Sequence, residues 1–149
     1  MEKMREKLLG FVKTYVKNKD LMFRRIESVT DNENGFFVKY KHKESQFLAD
    51  PVLNPGVIEK IAKIKNVSVI CINTKENLDF VVKRWKELSN YQNLNVYFVN
   101  PFSKMERIWI IHPYTHSRVA DNESLELGLK TMFENVEEIS PQEFEKLTE

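Results

Sequence analysis

Val67-Ser68-Val69-Ile70-Cys71-Ile72-Asn73 is the stretch on which the fold turns. Four of its seven side chains are β-branched Val or Ile, and the run lacks a clean alternation of apolar and polar positions. Such a run predicts a strand buried on both faces, as in parallel sheets. Thr74 follows as an N-cap residue, and Leu78, Val81, Val82, Trp85 and Leu88 then recur at helical spacing. Leu94 to Val99 (LNVYFV) predicts the next strand, stopped by Asn100-Pro101, and Ile108 to Ile111 another, stopped by His112-Pro113. A strand joined to the next through a helix pairs with it in parallel, because the crossover returns the chain to the same end.

Upstream the signals change. Asp50-Pro51 and Asn54-Pro55-Gly56 are breakers, with a short helix from Val57 to Ile64 that Pro55 helps to start. Before them lies a meander, with strands expected over Phe23 to Val29, Phe36 to Lys43 and Gln46 to Ala49. The first two are joined through Asp31-Asn32-Glu33-Asn34-Gly35, where Asn-Gly suits a tight hairpin. Residues 2–18 read as an amphipathic helix, with Met4, Leu8, Phe11, Val12, Tyr15 and Val16 recurring at helical spacing. Downstream, a helix is expected from about Ser124 to Asn135, and Ser140-Pro141 opens a polar tail with helical character over 142–146. The expectation is one α/β domain over residues 1–149. Its mixed central sheet combines an N-terminal antiparallel meander with parallel βαβ units, flanked by helices.

Composition narrows the function classes. The 149 residues include 23 Lys or Arg and 22 Asp or Glu, with 42% hydrophobic and 30% charged, an ordinary globular balance. No apolar run reaches the ~18 residues of a membrane span, and the first residues lack the uninterrupted apolar stretch of a signal peptide. The single cysteine, Cys71, leaves no intrachain disulfide framework, so a cytoplasmic location is expected. Four glycines give no phosphate-cradling loop. The near-neutral sum hides a split. Residues 121–149 hold two basic and nine acidic side chains, whereas residues 1–120 hold 21 basic and 13 acidic. A basic body keeps a polyanion partner open, and the acidic C-terminal helix and tail from about 121 becomes a candidate for docking on a second copy.

Helix, three-strand meander, helix and buried strand, in that order over roughly residues 2–100, resembles the core of the restriction-endonuclease-like nucleases. The resemblance implies a divalent Mg or Mn ion held by an acid on the second meander strand and by a Glu-x-Lys-type pair on the third. Such an ion would activate water while the lysine positions it. The chain departs from that pattern. Its second strand offers lysines, and the acids nearest the expected positions are Asp31, Glu44 and Asp50, without a lysine two places after any of them. The resemblance therefore points to a nucleic-acid-associated relative with little or no catalysis, or to a divalent-metal-dependent nuclease if those three acids converge.

Three further constellations are candidates. Lys39, Lys41 and Lys43 share strand parity with Phe37, a basic stripe suited to phosphate contact and aided by Arg24 and Arg25. Such a stripe makes DNA or RNA the expected partner; the same lysines also suit a purely structural guarding of a sheet face. Asn73, Lys75, Asn100 and Lys104 follow the two predicted parallel strands, at the carboxyl ends where open α/β sheets bind ligands, and form a candidate anion-binding rim. Capping and turn chemistry account for the same residues without a ligand. His112 and His116, with Asp121, are candidate metal ligands or catalytic groups in a loop at a strand end, although two loop histidines need no such role. His42 falls on the apolar parity of its strand and is expected at the core or its rim. Beyond the ion implied by a nuclease, no cofactor is expected. The competing expectations are a protein-interaction or self-assembling module using the N-terminal helix or the acidic block, and a small anion-binding protein or enzyme using the strand-end rim.

Overall fold

In a computed structural model describing residues 2–148, the element order is α1 (Glu2–Asp20), β1 (Ile26–Asn32), β2 (Gly35–Tyr40), β3 (Glu44–Ala49), α2 (Pro55–Ala62), β4 (Val67–Ile72), α3 (Lys75–Lys83), α4 (Trp85–Leu88), β5 (Leu94–Val99), β6 (Ile108–Ile111), α5 (Pro113–Val119), α6 (Asn122–Glu134) and α7 (Pro141–Thr148). The six strands form one sheet in the order β1-β2-β3-β4-β5-β6. β1, β2 and β3 pair antiparallel, β3–β4 and β4–β5 pair parallel, and β6 returns antiparallel to β5. The mixed sheet expected from the sequence is the one observed.

All six residues of β4 are buried, because helices cover both faces of the centre of the sheet. On one face Val67, Val69 and Cys71 pack with Val57, Ile58 and Ile61 of α2, Leu78 and Val81 of α3, and Leu129 of α6. On the other, Ile70 and Ile72 pack with Met4, Leu8, Val12 and Val16 of α1 and Phe144 of α7. The architecture is three layers. The apolar stripe of α1 faces inward, so it is not a surface for a partner, against that part of the interaction expectation. Cys71 is fully buried, and burial, with Asp50 nearby, pushes its thiol well above its ordinary value. It behaves as a small hydrophobe.

Several boundaries shift from the sequence expectation, each for a local reason. The first strand starts at Ile26 because Asp20 holds the preceding loop. Its carboxylate accepts the backbone N–H groups of Arg25 and Ile26, and Arg24 takes a left-handed φ of 50°. The second strand stops at Tyr40, whose backbone N–H donates to Lys43 O and closes the turn into the third strand. Residues 41–43 form the β2–β3 turn, and His42 is exposed there instead of joining the core. Pro113, read as a stop, occupies the first turn of α5, where its missing N–H costs nothing. Residues 113–119 are therefore a helix, not a loop.

Gly35 begins β2 with φ of 153°, and a Cβ there would stand 2.1 Å from Phe47 O. Only glycine lets β2 and β3 approach so closely at this point.

Candidate functional site

The strand-end rim is built but covered by the chain itself. Asn73 is fully buried at the end of β4. Its amide nitrogen donates to Val136 O at 2.9 Å and Phe133 O at 3.2 Å, and its oxygen accepts the Trp109 indole N–H at 2.7 Å. Asn100, after β5, donates to Glu137 O at 2.9 Å. The two positions expected to receive an anion receive carboxylates of the acidic segment. Glu138 accepts Lys75 N–H at the start of α3 at 2.8 Å, and Glu137 accepts Lys104 N–H at 2.6 Å. The amides of Asn73 and Asn100 and the backbone N–H groups of Lys75 and Lys104 are thus satisfied internally by residues 133–138.

The three acids of the nuclease pattern do not converge. Glu44 and Asp50 lie at opposite ends of β3, about 20 Å apart at ~3.3 Å per residue. Asp31, on the edge strand β1, registers with Phe36 and through it with Phe47, two strands or about 10 Å from β3. Asp31 pairs with Lys13, and Asp50 with Lys60 at 3.5 Å. Asp121 is likewise engaged. It N-caps α6 by accepting Ser124 N–H, and that bond holds its carboxyl below its ordinary value. Among the described residues no three of His, Cys, Asp and Glu come close enough to hold a metal ion.

The basic stripe also dissolves. Lys39 stands on β2 near Glu27, whereas Lys41 and Lys43 belong to the turn and leave the strand's alternation. Lys43 instead turns its ammonium over the Tyr40 ring, at 5.2 Å.

That movement places Lys43 in a pocket of about 510 Å³ at the opposite end of the sheet from the covered rim. The α1 helix covers only part of its sheet face, and the pocket opens where the helix ends. Tyr15, Val16, Lys19 and Asp20 form one wall, and Phe23 and Arg25 of the α1–β1 loop form the lip. Three cations of the lining each sit over an aromatic ring of the same lining. Lys19 stands 5.9 Å from Tyr15, Arg25 4.9 Å from Phe23, and Lys43 5.2 Å from Tyr40. Of the lining carboxylates, Asp20 has both oxygens engaged by backbone N–H groups, and Glu44 stands exposed. Leu21, Met22 and Phe23 on the lip are 70%, 92% and 62% exposed, and Arg24 is exposed beside them.

The pocket carries a row of polar side chains on the α1 side of β3, β4 and β5, continued by His112 just past the end of β6. Ser45 Oγ lies 3.3 Å from Ser68 Oγ, Asn95 Nδ2 donates to Ser68 Oγ at 3.2 Å, and Asn95 Oδ1 meets His112 Nδ1. Register makes the row: Asn95 is paired with Ser68, and Val96 with Ile111, which brings His112 level with Asn95. His112 and His116 do share a helical turn, with ring centroids 5.7 Å apart and the His112 backbone N–H on His116 Nδ1. Burial first, then the charges of His116, Lys19 and Lys43, lower the His112 pKa from its ordinary value. Burial likewise raises the phenols of Tyr97 and Tyr40, so both stay protonated.

Ser45, Ser68 and Asn95 were not among the expected site residues. The signal was present as Ser68 within VSVICI and Asn95 within LNVYFV, one polar side chain at the second position of each of two buried strands.

No protein-family model, curated protein or solved structure matches this chain. What the site can do must therefore be read from its own chemistry. It offers fixed cations, ring faces and a line of uncharged hydrogen-bonding groups in one concavity. No described helix is long and apolar enough to cross a membrane.

Proposed function

We propose that the protein is a nucleic-acid-associated module of restriction-endonuclease-like topology with little or no catalysis, working in the cytoplasm. Its contact with DNA or RNA is the pocket end of the sheet. The observation that carries this reading is the pairing of Lys19, Arg25 and Lys43 with Tyr15, Phe23 and Tyr40 around one pocket mouth. Cations neutralise backbone phosphates and ring faces stack bases, the two elements of sequence-tolerant nucleic-acid binding. Arg24, Lys41 and the exposed Leu21 and Met22 extend the same surface. Element order supports the nuclease-like part: a helix, a three-strand antiparallel meander, a helix and a parallel strand. The separation of Asp31, Glu44 and Asp50 supports the weak catalysis, since a metal-activated water needs carboxylates that share one ion.

The test is binding of a labelled oligonucleotide at increasing salt. With three cations meeting phosphates, log K should fall against log salt with a slope of about −2. Lys43→Ala should weaken binding and reduce that slope by nearly one, and Glu44→Gln should strengthen binding about twofold by removing an exposed opposing charge. Absence of binding at about 50 mM salt sinks the proposal.

A further inference from the structure

Resting on that reading, we infer that the pocket takes an unpaired nucleotide, so the partner is single-stranded or has a base turned out of its helix. The row of Ser45, Ser68 and Asn95, buried or half-buried, lines the pocket together with the ring of cations and aromatics and ends at the exposed His112. A duplex presents its phosphates to a rim, but its Watson–Crick edges are engaged in pairing and its stacked bases cannot enter a pocket singly. An unpaired base can enter, stack on an aromatic wall and offer its pairing edge to hydrogen-bonding groups.

The row is built to meet such an edge. Asn95 Oδ1 takes the Nδ1 proton of His112, which leaves His112 Nε2 as an acceptor. The Asn95 amide donates to Ser68 Oγ, and Ser68 and Ser45 share a hydrogen bond in which either hydroxyl can be the donor. The Ser45 hydroxyl can meet a ligand as donor or acceptor. The row spans three strand spacings or about 14 Å, longer than one base edge, so a base meets it at one end, at the Ser45 hydroxyl or at the His112 Nε2 acceptor. Uncharged groups of mixed polarity, rather than further cations, mark this row as reading a base and the cations around it as holding phosphate. The pocket's volume of about 510 Å³ lies in the range of nucleotide-sized sites, ~300–1,000 Å³.

Fluorescence anisotropy with a single-stranded oligonucleotide of about ten residues, and with its duplex, separates this inference from the reading beneath it. The single strand should bind at least tenfold more tightly than the duplex. Phe23→Ala, on the exposed lip, should weaken single-strand binding about fivefold or more while changing duplex binding little. Asn95→Ala, which breaks the row, should do the same; circular dichroism checks that this variant is folded, and Phe23→Ala stands as the independent arm. Equal affinity for both forms, with Phe23→Ala and Asn95→Ala silent, overturns the inference and leaves nucleic-acid association in place. Binding to neither form overturns both.

Discussion

Replacing Asn73 with alanine tests the account of the covered strand ends most directly. The side chain is fully buried, and its hydrogen bonds join β4, β6 and the segment after α6. Alanine removes the acceptor of the Trp109 indole N–H, leaving a buried donor unmade at a cost of about 1–3 kcal/mol. The Val136 carbonyl loses its 2.9 Å donor as well, for roughly 1 kcal/mol more. The expected loss is about 3 kcal/mol. In a chain of this size that lowers the melting temperature by about 6–12 °C, at ~2–4 °C per kcal/mol. Urea unfolding followed by tryptophan fluorescence reads it as a lower midpoint with an unchanged slope. Trp109→Phe should cost about 1 kcal/mol less in the Asn73→Ala background than in the wild type, because the two side chains share one bond. A loss below 1 kcal/mol for Asn73→Ala, or strict additivity with Trp109→Phe, would refute the reasoning.

Other outcomes follow from single features. His112 is held neutral by burial and by His116, Lys19 and Lys43, so its folded pKa lies below the unfolded value of about 6.5. The unfolded chain then binds the proton more readily, and His112's contribution to stability is present above that value and lost as pH falls through the folded pKa. His112→Gln should flatten the stability profile between about pH 7 and 5, measured by urea midpoints across that range. Gly35→Ala should destabilise by about 3 kcal/mol or more, because its φ of 153° and the 2.1 Å approach to Phe47 O both oppose a Cβ; thermal unfolding checks this. Asp31→Ala should cost less than about 1 kcal/mol, since its pairing with Lys13 is at the surface. It should also leave any binding of Mg²⁺, measured by calorimetry, unaltered.

The inner sheet was legible in the sequence because β-branched runs and Thr74 carry local instructions that tertiary packing agrees with. Thr74 accepts Asn77 N–H as an N-cap should. The meander was legible in number but not in extent. Lys41 and Lys43 keep perfect alternation on paper, yet backbone bonds to Arg25 and Tyr40 turn the chain there. The site was harder. Ser68 and Asn95 are neighbours only through a parallel register that the sequence does not state, so each reads as a lone polar residue in an apolar strand. Asn73 and Asn100 were rightly singled out as strand-end groups, but their partners lie 63 and 37 residues further on. The charge split was the more useful clue, because the acidic segment supplies the carboxylates that answer the strand-end N–H groups.

The segment from Val136 to Ile139 ties together times as well as places. Val136 enters the packing on one face of the sheet and Ile139 that on the other, and Ile139 donates its backbone N–H to Asn73 O. A chain emerging from the ribosome can lay down all six strands and still lack the residues that close either layer. Until residues 133–139 fold back, Asn73 lacks the Phe133 and Val136 carbonyls that accept its amide, and both layers stay open at one end. Docking of this one segment is therefore the step that completes both layers. Any extension fused after Thr148 would be carried next to the helix, α7, that completes that step.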